Sequence, residues 1–232
     1  MAAIEAQGIA KTYRGGVKAL RGLSLSVRQG EIFSLLGENG AGKSTLVQIL
    51  STRMTADAGS AAVLGMDPGR EAAAVRRHIA CVAQRTSIDR CLSLRENMLF
   101  QSRLYRIPKA EALRRMAELI AAFELEPYTA CPVSACSGGV RRRLDIALNM
   151  MPGPKILFLD EPTVGMDVHS RAAMWRMMQK IRGAFGTTIF LTTHYLEEAD
   201  RLSATVCMMR GRREILHGSP ASLRAYLRPE QT

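Results

Sequence analysis

The sequence predicts an α/β fold: a core with a mostly parallel sheet, an N-terminal antiparallel β subdomain and an inserted α-helical subdomain. Three observations carry this expectation. A short apolar run ending in Leu35-Leu36 leads through Gly37-Glu38-Asn39-Gly40-Ala41-Gly42-Lys43-Ser44-Thr45 into Leu46-Val47-Gln48-Ile49-Leu50, so that strand, glycine-rich turn and helix follow one another. Ile156 to Asp160 and Thr187 to Thr192 are two further buried strands, joined by a helix from about Val168 to Ala184 in a β-α-β unit. Between these parts the pattern changes to that of helices. One domain, 1–232, is expected, with 1–84 and 152–232 as core and 85–151 as helical subdomain.

Taken in order, residues 1–30 alternate with a two-residue period, as in Leu23-Ser24-Leu25-Ser26-Val27, and read as an antiparallel hairpin-like sheet. Its turn, Tyr13-Arg14-Gly15-Gly16, carries an aromatic that is either surface filler or a stacking platform for an adenine. A short strand lies between Gly59 and Gly65, a helical stretch spans Glu71 to His78, and Ile79 to Val82 is a buried strand leading to Gln84. Ser93-Leu94-Arg95-Glu96 is a capping box opening a helix to about Tyr105. Pro108 starts another, carried by Leu113, Met116, Ala117, Ile120 and Phe123. Ser137 stands at the N-cap of a helix carried by Leu144, Ala147, Leu148 and Met151. Thr205 to Met209 and Arg212 to His217 read as a closing hairpin, with a short helix after Pro220.

The chemistry starts from the glycine-rich turn. G-x-x-x-x-G-K-[ST] between strand and helix is a phosphate-binding loop, or P-loop. Its glycines let the backbone from Gly37 through Asn39, Gly40, Ala41 and Gly42 to Thr45 curl, so that successive N–H groups face phosphate oxygens at the positive end of the helix. Lys43 then reaches the β- and γ-phosphates and Ser44 ligates Mg²⁺. Four hydrophobic residues followed by Asp160 place a second Mg²⁺ ligand at the carboxyl edge of a neighbouring strand. Glu161, next in the chain, is placed to accept a proton from, or orient, an attacking water. Ser137-Gly138-Gly139 forms a second anion-binding helix start, and Arg141-Arg142-Arg143 beside it either steers an anion or lines a solvated face. His194, at a strand tip, is either a packed residue or one that faces the nucleotide.

Bulk properties narrow the setting. With 232 residues, 47% of them hydrophobic, the chain can bury a sizeable core. No apolar run approaches the roughly 18 residues of a membrane span, and no signal peptide is apparent, so a soluble cytoplasmic chain is expected. The five cysteines form no C-x-x-C pair, against a disulfide frame or a zinc site. A net charge of +11 favours phosphate-rich partners or an anionic membrane face without choosing between them.

The order and spacing of these motifs over nearly the whole chain resemble the nucleotide-binding subunit of ABC transporters. Gly37 to Thr45 matches the phosphate loop, Gln84 the glutamine loop, Ser137-Gly138-Gly139 the signature motif, Ile156 to Glu161 the second Walker motif, Asp167 the aspartate loop and His194 the switch histidine. Tyr13 falls where the family carries its adenine-stacking aromatic. The signature departs from the usual Leu-Ser-Gly-Gly-Gln at Cys136 and Val140, and the stretch through Arg141-Arg142-Arg143-Leu144-Asp145 looks like the daunorubicin-resistance branch of exporters, as does Thr193 to Asp200.

The resemblance implies an ATPase with ATP and Mg²⁺ as ligands, working as a homodimer or with a paired ATPase subunit. Each ATP would lie between the P-loop of one copy and Ser137 to Gly139 of the other, with Gln84 and His194 sensing the γ-phosphate and Gln84 also near the metal. An integral-membrane permease would dock on the helical subdomain near Gln84 to Tyr105, at the cytoplasmic face of the membrane. The transported substrate would not touch this chain, and no direct nucleic-acid contact is expected. Two rivals stand beside this: a soluble ATPase of the same fold acting on nucleic acid or ribosomes, which the charge would suit, and a nucleotide-binding regulator without turnover, which the intact Glu161 disfavours. Against the first, the chain lacks a second phosphate loop, a long heptad insertion and a C-x-x-C hook.

Overall fold

The computed structural model describes residues 1–83 and 88–227; the expected site residue Gln84 lies outside them. The chain runs β1 (Ala2–Thr12), β2 (Lys18–Arg28), β3 (Ile32–Gly37), α1 (Lys43–Leu50), β4 (Ala58–Val63), α2 (Ala72–Arg76) and β5 (Ile79–Val82). Three helices follow, α3 (Leu94–Leu104), α4 (Lys109–Ala122) and α5 (Gly138–Met150). The last part is β6 (Ile156–Asp160), α6 (Val168–Phe185), β7 (Thr188–Thr193), α7 (Leu196–Leu202), β8 (Thr205–Arg210), β9 (Arg213–Gly218) and α8 (Pro220–Leu227).

Two sheets result. One has the order β2-β1-β4 and is antiparallel; the other has the order β5-β6-β7-β3-β8-β9 and is parallel up to the closing β8–β9 hairpin. The second sheet is covered on both faces, which is why its inner strands read as unbroken apolar runs rather than alternating ones. Residues of one parity, Leu157, Leu159, Ile189 and Leu191, join the core under the helices. Those of the other, Ile156, Phe158, Phe190, Phe33 and Leu35, join a core with α1 and the antiparallel sheet. Phe33 and Phe158 both stand in register with Phe190, with ring centroids 5.0 and 5.4 Å from it, so an aromatic row crosses three strands.

Helices α3 to α5 occupy most of the stretch expected to be helical, and their Leu94, Met98, Met116, Phe123 and Leu144 share one continuous core with the sheet. The capping box forms as read: Ser93 Oγ accepts from Glu96 N at 3.2 Å, and Glu96 Oε2 accepts from Ser93 N at 2.8 Å. The phase expected for α4 needs correction. Its buried face is Ala112, Met116, Leu119 and Phe123, while Ala117 is exposed and Leu113 and Ile120 are half-buried. Met116 and Phe123 set the rotation of the helix; Ala117 is too small to compete. Helix α7 carries no apolar period, because its buried face is Glu198, Ala199 and Leu202. Among the described residues no helix is long and apolar enough to cross a membrane.

Candidate functional site

The P-loop joins β3 to α1 in a conformation that only glycine accepts at two places. Gly42 has φ +104°, and a Cβ there would lie 2.4 Å from the Ala19 carbonyl oxygen; one at Gly37 would lie 2.9 Å from that of Met209. Gly42 is the N-cap of α1 and brings no side chain to it, which leaves the first-turn N–H groups directed at a ligand rather than at a cap. Lys43 is buried, and its Nζ donates to Gly37 O at 2.7 Å and Glu38 O at 3.1 Å while standing 3.1 Å from Glu161 Oε1. The exposed Ser44 hydroxyl lies 3.0 Å from Asp160 Oδ2. Thr45 Oγ1 and the Tyr13 hydroxyl are 3.0 Å apart, so the aromatic of the β1–β2 turn is tethered to the loop.

The acids stand at the carboxyl edge of β6. Asp160 is in register with Thr192 of β7, whose hydroxyl donates to its Oδ1 at 2.5 Å. Glu161 has φ +48°, a left-handed conformation uncommon for a side-chain-bearing residue. Its N–H is held by Thr192 O at 3.1 Å. His194 Nδ1 lies 3.5 Å from Glu161 Oε1 without an aligned hydrogen bond, and that nitrogen is buried with no other partner among the described residues.

The second glycine motif opens α5. Ser137 Oγ caps the helix by accepting from Val140 N at 3.3 Å. Cys136 and Val140 are buried in the helical core of the same chain, so the side chain at the second position takes no polar part. A Cβ on Gly139 would come 2.8 Å from Ser170 Oγ, which places the motif against the start of α6. There Asp167 is the N-cap, accepting from Ser170 N at 2.8 Å and from its hydroxyl at 2.7 Å, contacts that hold its carboxyl below the ordinary value. An open cleft of about 1100 Å³ is lined by Tyr13, Asn39, Gly40, Gly42 to Thr45, Glu161, Asp167 and Ser137 to Gly139 together, whereas Ala41 is buried behind it.

The family model described as ABC transporter matches residues 20–164. The chain belongs to the ABC transporter family. It is 43% identical over 208 residues to the doxorubicin resistance ATP-binding protein DrrA of Mycobacterium tuberculosis, spanning 89% of this chain but only 62% of that protein. To the Nod factor export ATP-binding protein I of Rhizobium etli it is 37% identical over 223 residues, 96% of this chain and 70% of that one. Among solved structures, cbiO1 of Clostridium perfringens, part of the cbiONQ transporter complex, superimposes with a TM-score of 0.90 at 25% identity, over 97% of this chain and 91% of that one.

For an ABC family cleft, the donor set fits a small hard cation: a hydroxyl and a carboxylate oxygen adjoin at the N-terminal end of α1, and Ser44 and Asp160 would hold it. Two site residues escaped the sequence pattern. Thr192 orients Asp160 from a strand that meets it only in the fold. Arg142, buried on α5, donates to Ala83 O at 2.5 Å and reaches Asp145 at 3.3 Å and Asp160 O at 3.4 Å; burial lowers its pKa. Neither reading of the arginine run holds for the whole of it: Arg142 is internal, Arg143 donates to Phe123 O at 2.8 Å, and only Arg141 of the other two also lines the cleft.

Proposed function

We propose that this chain is the ATP-binding and hydrolysing subunit that powers export of a substrate through a separate membrane permease. The observation that carries it is the convergence of Lys43 and Glu161 at 3.1 Å beside the Ser44–Asp160 pair, where the start of α1 meets the end of β6; it supports a division of labour among phosphate, metal and water. The loop amides and Lys43 hold the β- and γ-phosphates of ATP. Mg²⁺, bound by Ser44 and Asp160, would neutralise charge on those oxygens. Glu161 orients a water whose oxygen attacks the γ-phosphorus in line; the bond to the β–γ bridging oxygen breaks, ADP leaves with its electron pair, and the water proton passes to Glu161 or to phosphate. His194, beside Glu161, senses the γ-phosphate, a task Gln84 shares. Tyr13 stacks on the adenine.

The exporting direction follows relatives named for doxorubicin resistance and Nod factor export. Ser137 to Gly139 and Asp167 work best if two copies face each other across the cleft, each closing the other's ATP. The helical subdomain over 85–151 meets the permease at the cytoplasmic face of the membrane. The rival on nucleic acid has only the net charge in its favour, and its densest basic run is largely tied up inside the chain. The test is Mg²⁺-dependent ATP hydrolysis by purified protein and by membranes co-expressing it with a candidate polytopic permease. Hydrolysis lost in Lys43→Ala and stimulated in those membranes supports the reading; a protein that stays soluble and is stimulated by nucleic acid overturns it.

A further inference from the structure

Glu198 is completely buried on α7 and is not among the residues that line the cleft, yet it reaches the turn that follows Glu161. Its Oε1 accepts from the hydroxyl of Thr163 at 2.9 Å and from the indole Nε1 of Trp175 at 3.1 Å, while Oε2 is buried without a partner among the described residues. A carboxyl buried to this degree costs stability unless donors hold it, so the two that do are part of its design. What it holds is the turn that follows Glu161: Thr163, itself 1% exposed, lies two residues beyond the Glu161 backbone at φ +48°. Such a conformation is uncommon for a residue with a side chain and persists only where its surroundings fix it from several sides. One side is β7, through Thr192 O on Glu161 N; the other is Glu198, through Thr163.

We propose that Glu198 is a positioning residue for Glu161, clamping the Thr163 turn so that the Glu161 carboxyl stays aimed beside Lys43. This rests on the hydrolytic reading above and names the device that keeps its water-orienting group in place. Because Glu198 sits in the first turn of α7, four residues after His194 in the β7–α7 connection, the clamp also ties Glu161 and His194 to one frame. The residue touches no ligand itself, so its effect should fall on turnover and leave nucleotide binding alone.

The test compares Thr163→Val, which removes the hydroxyl joining Glu198 to the turn, with Trp175→Phe, which removes the other donor to the same oxygen and spares that joint. Thr163→Val is expected to lower kcat about tenfold at unchanged KM for ATP, since small misplacements of a reacting group are costly. Trp175→Phe should keep kcat, and both variants should shift the thermal midpoint alike. Glu198→Gln, which keeps a carbonyl acceptor, should retain more turnover than Glu198→Ala. In a Glu161→Ala background Thr163→Val should add no further loss, because residues acting through one group are not additive. Unchanged kcat in Thr163→Val, equal losses in both variants, a parallel rise in KM, or an additive loss on top of Glu161→Ala overturns the clamp alone. A wild-type protein that binds but never hydrolyses ATP overturns the hydrolytic reading instead, and the clamp with it.

Discussion

The Thr192 hydroxyl donates to Asp160 Oδ1 at 2.5 Å across two neighbouring parallel strands, leaving Oδ2 turned to Ser44. A ligating carboxylate oriented in this way depends on its supporting donor, and loss of such a partner lowers metal affinity by about 10- to 100-fold. Thr192→Val should therefore shift the Mg²⁺ titration of ATP hydrolysis to higher concentration by that factor while leaving the saturated rate closer to normal. An unchanged Mg²⁺ titration would show that Asp160 needs no such support.

Glu161→Gln keeps the size of the side chain and removes its ability to take a proton. Turnover should fall by about 10²- to 10⁴-fold, with ATP still bound. If two copies close on the nucleotide, this variant should run as a dimer in ATP and as a monomer in ADP by size-exclusion with light scattering. Normal turnover would remove Glu161 from its role.

Gly139 faces Ser170 so closely that an added Cβ would meet its Oγ at 2.8 Å and its Cβ at 3.2 Å. Ser170 cannot simply rotate away, because its hydroxyl donates to Asp167. Gly139→Ala should push α5 from α6 and reduce hydrolysis, and adding Ser170→Gly should restore part of it. Measured ATPase rates of the two variants decide this; no recovery in the double variant would place the strain elsewhere.

The Ser93–Glu96 capping box does not line the cleft, and its side-chain bonds cap helix α3. Ser93→Ala should cost about 1 kcal/mol, lowering the thermal midpoint by about 2–4 °C for a domain of this size. The rate of ATP hydrolysis by the isolated chain should not change.

Thiol reactivity should divide by burial. Cys207 is fully buried in the core and its thiol is pushed up to about 12, chiefly by desolvation; burial also raises that of Cys136. Since only the thiolate attacks, neither should react with a disulfide reagent at pH 8 in the native state, whereas the exposed Cys91 should react at once. Denaturant should release the remaining thiols, and mass spectrometry after brief labelling reads which sulfur was modified.

What could be read from the sequence was what is local in it. Ser93 and Glu96 are three residues apart, so spacing alone conveyed that they partner each other, and Lys43-Ser44 follows its glycines directly, so spacing alone conveyed the phosphate loop. Asp160 was legible because an unbroken apolar run ending in an acid is a buried strand reaching a sheet edge. Thr192 was not, since a register 32 residues away along the chain is set by folding rather than by pattern. Arg141 to Arg143 gave no phase: three identical residues cannot say which one turns inward. Glu198 ran against the ordinary rule for burial, because its hydrogen-bond donors, Thr163 and Trp175, lie on other elements.

The aromatic row of Phe33, Phe190 and Phe158 serves as a levelling course for the whole edge. Asp160 and Thr192 each stand two residues above a ring of that row, so equal steps along parallel strands bring them to one height. The loops around the cleft can drift in length without moving these two, but a single inserted residue between a ring and the edge would throw the carboxylate to the other face of the sheet. The chemistry is thus indexed from beneath, by three side chains that never meet the nucleotide.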